Sequence, residues 1–361
     1  MAAGPEESGE EEQEEQHQEG VWFGVVESAC AGCSVLDGRR LREEEARGFR
    51  SWALGDVEAF DEADFGLDRG AKVPDISWDA TDSVLTLLNA SNDRTRAYHV
   101  SLRTRASVGS RTLPSKDGVT TFVVALAPRT CLDLCECDLA QRDELTKEDV
   151  VKSDVVDVVP PLTPPPLLEG ESRITPDLSF PLRGSRFLCT QSANGGLSHF
   201  AHASTYYAVD FRCDKGTPVL AVADARVRDV HLSAGGISGV HCDALFRWNS
   251  VTLETDDGDF FEYVHVDALH VQQGDRVSRG QHIASSGDAG FCPEPHLHIE
   301  RHRDPAPDAP SLPIAFRRVV CPPGSSSSDE RAAAKVVQRQ VPVAGEWWYQ
   351  YQFNHHLPAA S

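Results

Sequence analysis

Apolar and β-branched residues recur along this chain in short runs, bounded by clusters of Gly, Pro, Asn, Asp and Ser. Runs of this length with a period near two predict strands rather than helices. In the first half they are VWFGVV (21–26), SVLTLLNA (83–90), RAYHVSLRTRA (96–106) and GVTTFVVALAP (118–128). Together they predict an antiparallel, sandwich-like β domain over residues 20–157. One stretch departs from the pattern: LREEEARGFRSWAL (41–54) has a period near 3.6 and predicts a helical turn or two. In the second half, YYAVDFR, GTPVLAVA, ARVRDVHL, NSVTLET, DFFEYVHV, HIASSG and HLHIE are again short strands with turn residues between them. The expected fold class is therefore all-β, with a second β domain over residues 177–318. Between the halves, VVPPLTPPPLLEGESRITP (158–176) carries too many prolines for a helix or a central strand and reads as a linker. After Cys321, RAAAKVVQR predicts a short helix, and the aromatic cluster EWWYQYQF (346–353) is expected to pack back onto one of the domains.

Charge narrows the partners. The 361 residues carry a formal net charge of −22, and residues 1–20 hold eight glutamates with no Lys or Arg, the composition of a solvated acidic tail over 1–19. An excess of acid argues against nucleic acid or an anionic membrane as the main partner. No basic start followed by an apolar run is present, nor an apolar stretch long enough to cross a bilayer, so the expected location is the cytoplasm. Ten cysteines are then expected as reduced thiols rather than disulfides. CAGC (30–33) and CLDLCEC (131–137) have spacings loose enough to hold a metal between them, but buried, incidental cysteine is the reading preferred here.

Histidine carries the chemistry. Of fourteen histidines, ten lie between residues 176 and 318. In PHLHIE (295–300), strand alternation puts His296, His298 and Glu300 on one face, with Leu297 and Ile299 on the core face. The two imidazoles then stand about 7 Å apart along the strand, at roughly 3.3 Å per residue, so that one metal ion could meet either or both. In FFEYVHV, His265 shares a face with Phe261 and Tyr263, and is expected to look into the same cavity. In YYAVDFR, Asp210 faces away from the core-like Val209 and Phe211, and the preceding GLSHFAH brings His199 and His202 within reach. Two histidines and a carboxylate suit a hydrolytic zinc site that keeps a fourth position open for water. Any one of these histidines alone is more simply a surface residue. The HxH strand, the strand histidine and the histidine-rich loop with its aspartate make a metal site the better reading of the set.

The order of these motifs resembles the lysostaphin-type zinc metallopeptidases, built on a duplicated hybrid β motif. The resemblance covers residues 195–301 and rests on GGLSHFAHASTYYAVDF, GTPVLAVADARV, Asn249 and Val251, EYVHVDAL, GDRVSRGQHIASSGDAG and PHLHIE. It implies a Zn2+ cofactor held by His199, Asp210 and His298, with His202 as the alternative to His199. It also implies catalytic roles for His265 and His296 beside a metal-bound water, and cleavage of short glycine-rich or peptidoglycan-type peptide bonds. Strand geometry alone does not tell His296 from His298; only the resemblance assigns their roles. The sequence departs from the family pattern in several places. Asp210 follows His199 by eleven residues and His202 by eight, Ala225 replaces the glycine of a tight turn, Thr255 replaces a histidine, and VHLSAGGISGVHCDALFRW (230–248) is an insertion near the cleft. The competing reading keeps the fold as a catalytically silent metal- or peptide-binding module. A lipoyl-type carrier is disfavoured, since GDRVSRGQ offers no lysine at its tip.

Overall fold

The computed structural model describes residues 21–26, 51–53, most of 76–137, 149–154, 178–319 apart from short breaks, 336–344 and 347–348. The acidic tail, the proline-rich stretch and CAGC lie outside the described residues. Among the described residues every regular element is a strand, apart from two 3-10 turns at His199–Ala201 and Cys242–Ala244. No helix there is long and apolar enough to cross a membrane.

Two antiparallel sheets occupy the amino-terminal half. In one, the strands run in the order Val21–Val26, Thr120–Leu126, Arg96–Leu102 and Val150–Asp154. The other is built around Val84–Asn89 and Thr130–Cys137. Ser51–Ala53, at the end of the stretch expected to be helical, is a strand paired with Thr130–Cys137. Leu85, Leu87, Tyr98, Val100, Phe122 and Val124 are fully buried, and so are Leu88, His99 and Val123 on the opposite faces, so these strands are covered on both sides. Cys131 and Cys135 are buried free thiols on the Thr130–Cys137 strand, and burial pushes the Cys131 thiol up to about 11.

The carboxy-terminal half is organised by an eight-stranded sheet. Its order is Arg276–Val277, Ala225–His231, Ser250–Glu254, Phe260–Val264, His296–His302, Val209–Arg212, Phe187–Gln191 and Trp347–Trp348. A three-stranded sheet of Pro218–Leu220, His282–Ser286 and Val266–Leu269 shares its core. Phe211, Phe261, Tyr263, Leu297 and Ile299 point into that core, and the Tyr263 hydroxyl accepts the Val222 amide at 2.8 Å, so its polar end is satisfied. Of the aromatic cluster, only Trp347 and Trp348 lie among the described residues, and Trp348 packs back: it is fully buried, its ring parallel to Phe180 at 6.0 Å. The helix expected at RAAAKVVQR is not formed over its second part. Val336–Gln340 is a strand paired with Phe316–Val319, a partner close in space but invisible to local periodicity. Ala225 causes no strain, since it starts a strand without a left-handed backbone.

Candidate metal centre

The site is assembled on the His296–His302 strand, which lies between Val209–Arg212 on one side and Phe260–Val264 on the other. Asp210 is directly opposite His298, while Val209 and Phe211 lie opposite Ile299 and Leu297. That register sets one carboxylate and one imidazole on the same face, with four apolar residues anchoring the other. His199, in the 3-10 turn after Ser198, comes over the same face. His199, Asp210 and His298 each offer a ligand atom, and these atoms lie within 4.8 Å of one another. His202 is outside this group; its ring stacks on His99 of the amino-terminal half, with centroids 5.3 Å apart.

His265 reaches the site by a route the alternation argument misses. Val264 is opposite His298 and Glu262 is opposite Glu300, so these residues share the face of the site, while Phe261 and Tyr263 are in the core. Continued alternation would bury His265 beside Tyr263. Instead the strand ends at Val264 and His265 takes a left-handed backbone, φ 62°, which turns its ring to within 4.5 Å of His296 and 6.2 Å of His298, centroid to centroid. A left-handed histidine costs conformational energy and persists because its surroundings hold it. Gly287 is part of that hold: its amide donates to the His265 carbonyl at 2.6 Å, and a Cβ there would come within 3.0 Å of that same oxygen.

Hydrogen bonds decide which ring nitrogens face inward. The Nδ1–H of His265 donates to the Ala289 carbonyl at 2.6 Å, that of His296 to the Glu294 carbonyl at 2.7 Å, and that of His199 to the Ser192 carbonyl at 3.2 Å. A carbonyl can only accept, so each ring keeps its Nε2 for the site. The Nε2 of His199 is buried without a hydrogen-bond donor and lies 3.2 Å from Asp210 Oδ2. At that distance either a proton or a metal ion has to lie between the two lone pairs. His298 has carboxylates at both ends, Asp210 at 2.9 Å from Nδ1 and Glu300 at 3.2 Å from Nε2. With Nε2–H donated to Glu300, Nδ1 is the nitrogen that would meet an ion, displacing any proton shared with Asp210. This donor set fits a divalent ion of the zinc type.

The electrostatics follow. Burial alone would raise the Asp210 carboxyl, but the imidazoles around it, His199 first and then His296 and His298, hold it well below the usual carboxylate range. Burial would likewise lower His298, yet its bonds to Asp210 and Glu300 push it up to about 10. Burial opposes the charge on Glu300 as well, and His298 and His302 hold it down at about 2. Burial, with His296 adding to it, depresses His265 well below the ordinary imidazole range.

Several participants carried no role in the sequence reading. Gln191 donates to Asp210 Oδ2 at 2.7 Å and accepts the Ser198 amide at 3.0 Å, tying the aspartate to the His199 turn. Glu300 stands on the same face as the two histidines, as alternation predicts, and bridges His298 to His302. Cys292 lies 3.4 Å from His296 Nδ1. Only Glu300 had a local signal, its place in HLHIE; the others come from distant chain segments.

Residues 204–310 match peptidase family M23. The chain is 33% identical over 101 residues to glycyl-glycine endopeptidase ALE-1 of Staphylococcus capitis, covering 28% of this chain and 25% of the relative. It is 31% identical over 91 residues to peptidoglycan DD-endopeptidase ShyA of Vibrio cholerae, covering 25% and 19%. The chain thus spans a quarter or less of these curated relatives' own lengths. Among solved structures, the catalytic domain of the antimicrobial peptidase lysostaphin from Staphylococcus simulans aligns at 26% identity with a TM-score of 0.26, covering 35% of this chain and 86% of that one.

Proposed function

We propose that the chain is a zinc-dependent endopeptidase that cleaves short glycine-rich or peptidoglycan-type peptide bonds. The observation that carries this reading is the meeting of His199, Asp210 and His298 within one ligand sphere, with two further imidazoles, His265 and His296, beside it and their Nε2 atoms directed inward. Zinc, when bound, supplies Lewis acidity toward water and the scissile carbonyl. Asp210 contributes the anionic ligand, which Gln191 holds in place, and Glu300 fixes the His298 ring so that Nδ1 faces the ion. His265 and His296 are the groups placed to move protons: each has its Nδ1–H committed to a backbone carbonyl, leaving Nε2 to take a proton from attacking water or to give one toward developing oxygen charge. A site built only to bind metal has no use for two further oriented imidazoles. The substrate class is suggested by the relatives, one named for glycyl-glycine and one for peptidoglycan bonds.

The test is a cleavage screen of zinc-loaded protein against glycyl peptides and peptidoglycan stem peptides. Wild type is expected to cleave members of the panel, and His265→Ala to keep its zinc while losing at least about a hundredfold in rate, the usual scale for a general acid–base group. Unchanged cleavage by His265→Ala would overturn the role given to that residue. Zinc binding without cleavage of any panel member would favour the silent binding module.

A further inference from the structure

The insertion at 230–248 is the piece the motifs of the resemblance leave without a role, and it makes hydrogen bonds to both halves of the chain. Its Ser238–Gly239 strand pairs in parallel with Gly290–Phe291. The Gly290 amide donates to the Ile237 carbonyl and the Cys292 amide to the Gly239 carbonyl, both at 2.7 Å. Gly290 is held tightly enough that a Cβ there would come within 3.0 Å of the Trp248 backbone. The residue just before this bridge, Ala289, supplies the carbonyl that fixes the His265 ring.

The other side of the insertion is gripped by the amino-terminal sheet. Cys242 donates its amide to Ser101 Oγ at 2.8 Å, Ser101 and Thr121 share a hydroxyl–hydroxyl bond at 2.8 Å, and Thr121 donates to the Val240 carbonyl. The three bonds form a relay whose donors and acceptors agree: amide to Ser101, Ser101 to Thr121, Thr121 to carbonyl. Ser101 and Thr121 are both buried, so water does not replace them when one is removed. Beside the relay, His241 Nε2 lies 2.9 Å from Asp149 Oδ1. Val119 packs on an apolar cluster that includes Val240, Ala244 and Phe291. The connection from Thr121 to His265 is therefore continuous: sheet, insertion, bridge strand, Ala289 carbonyl, imidazole.

We propose that Ser101 and Thr121 are positioning residues for the peptidase centre, acting through the insertion to hold the Ala289 carbonyl and with it the His265 ring. The amino-terminal sheet then supports the catalytic centre of the carboxy-terminal half through the insertion. The proposal rests on the reading of His265 as catalytic, but its test needs no substrate.

The test uses the zinc-loaded full chain with 15N-labelled histidine, following solvent exchange of the imidazole Nδ1–H protons by NMR. In wild type the His265 Nδ1–H is expected to be protected by its bond to Ala289. In Thr121→Val, which keeps shape and removes the relay, it should exchange about three- to tenfold faster, the scale of one hydrogen bond lost. The His199 Nδ1–H, bonded to Ser192 across the site, should stay protected, and zinc stoichiometry should not change. Thr121→Ser retains the hydroxyl and should restore protection; Ser101→Ala, which breaks the relay at its other end, and Asp149→Ala, which removes the acceptor of His241, should also speed exchange. The proposal is overturned if Thr121→Val and Ser101→Ala leave His265 exchange unchanged. It is equally overturned if His199 exchange and zinc loss rise in step with it, since that marks general loosening. Absence of peptide cleavage would sink the proposed function while leaving these exchange rates readable.

Discussion

Glu300→Gln perturbs the metal centre without touching a metal ligand. Glu300 is 5% exposed, with Oε2 accepting from His298 Nε2 at 3.2 Å and Oε1 accepting from His302 Nε2 at 3.1 Å. Glutamine keeps the volume but replaces one acceptor with an NH2 group, which must then point its hydrogens at one of two N–H donors. One buried donor is left unsatisfied, at a cost of about 1–3 kcal/mol. The His298 ring also loses the charge that orients Nδ1 toward Asp210. Removing such an outer partner of a metal-ligating histidine weakens metal binding by about 10–100-fold, or about 1.4–2.7 kcal/mol, and the two estimates agree. The assay is a competition titration of zinc against a chromophoric chelator at neutral pH, with circular dichroism to show that the fold is kept. Zinc affinity within about twofold of wild type, given an intact fold, would refute the claim that Glu300 sets the His298 ring.

Two further predictions concern stability. Burial depresses the folded-state value of His202 to about 4, below the ordinary imidazole value near 6.5. The unfolded chain therefore takes up a proton first, and stability present above pH ~6.5 is lost as pH falls toward ~4, by up to about 3 kcal/mol. Urea unfolding of metal-free protein across this range should show the loss, and His202→Gln should reduce it; equal acid sensitivity in the variant would contradict the assignment. Trp348 is fully buried against Phe180, Phe211 and Phe316, so Trp348→Ala should cost about 3–5 kcal/mol in the same measurement. A loss under about 1 kcal/mol would mean that the aromatic tail does not close the sheet.

The sequence carried the parts of the site that depend on alternation. Asp210 opposite Val209 and Phe211, and His296, His298 and Glu300 opposite Leu297 and Ile299, stand on the faces that a period of two assigns them. Strand existence was legible for the same reason, because one face of each of these strands is apolar and the other polar, even though both are buried here. His265 was not legible in this way: alternation sends it into the core, and only a left-handed turn held by Gly287 and Ala289 brings it round. Gln191 and the Ser101–Thr121 relay were out of reach, since their partners are far away in sequence and ordinary polar residues carry no local mark of a tertiary hydrogen bond. The strand at Val336–Gln340 was misread as helix because its pairing partner, Phe316–Val319, decides the matter and local propensity does not.

The central claim is that His199, Asp210 and His298 form a single zinc site. Metal analysis of protein exposed to zinc and then freed of loosely bound ions tests it most directly. The account predicts close to one zinc per chain in wild type and almost none in Asp210→Ala or His298→Ala variants that remain folded. A wild type that retains no zinc, or folded variants that retain it in full, would contradict it.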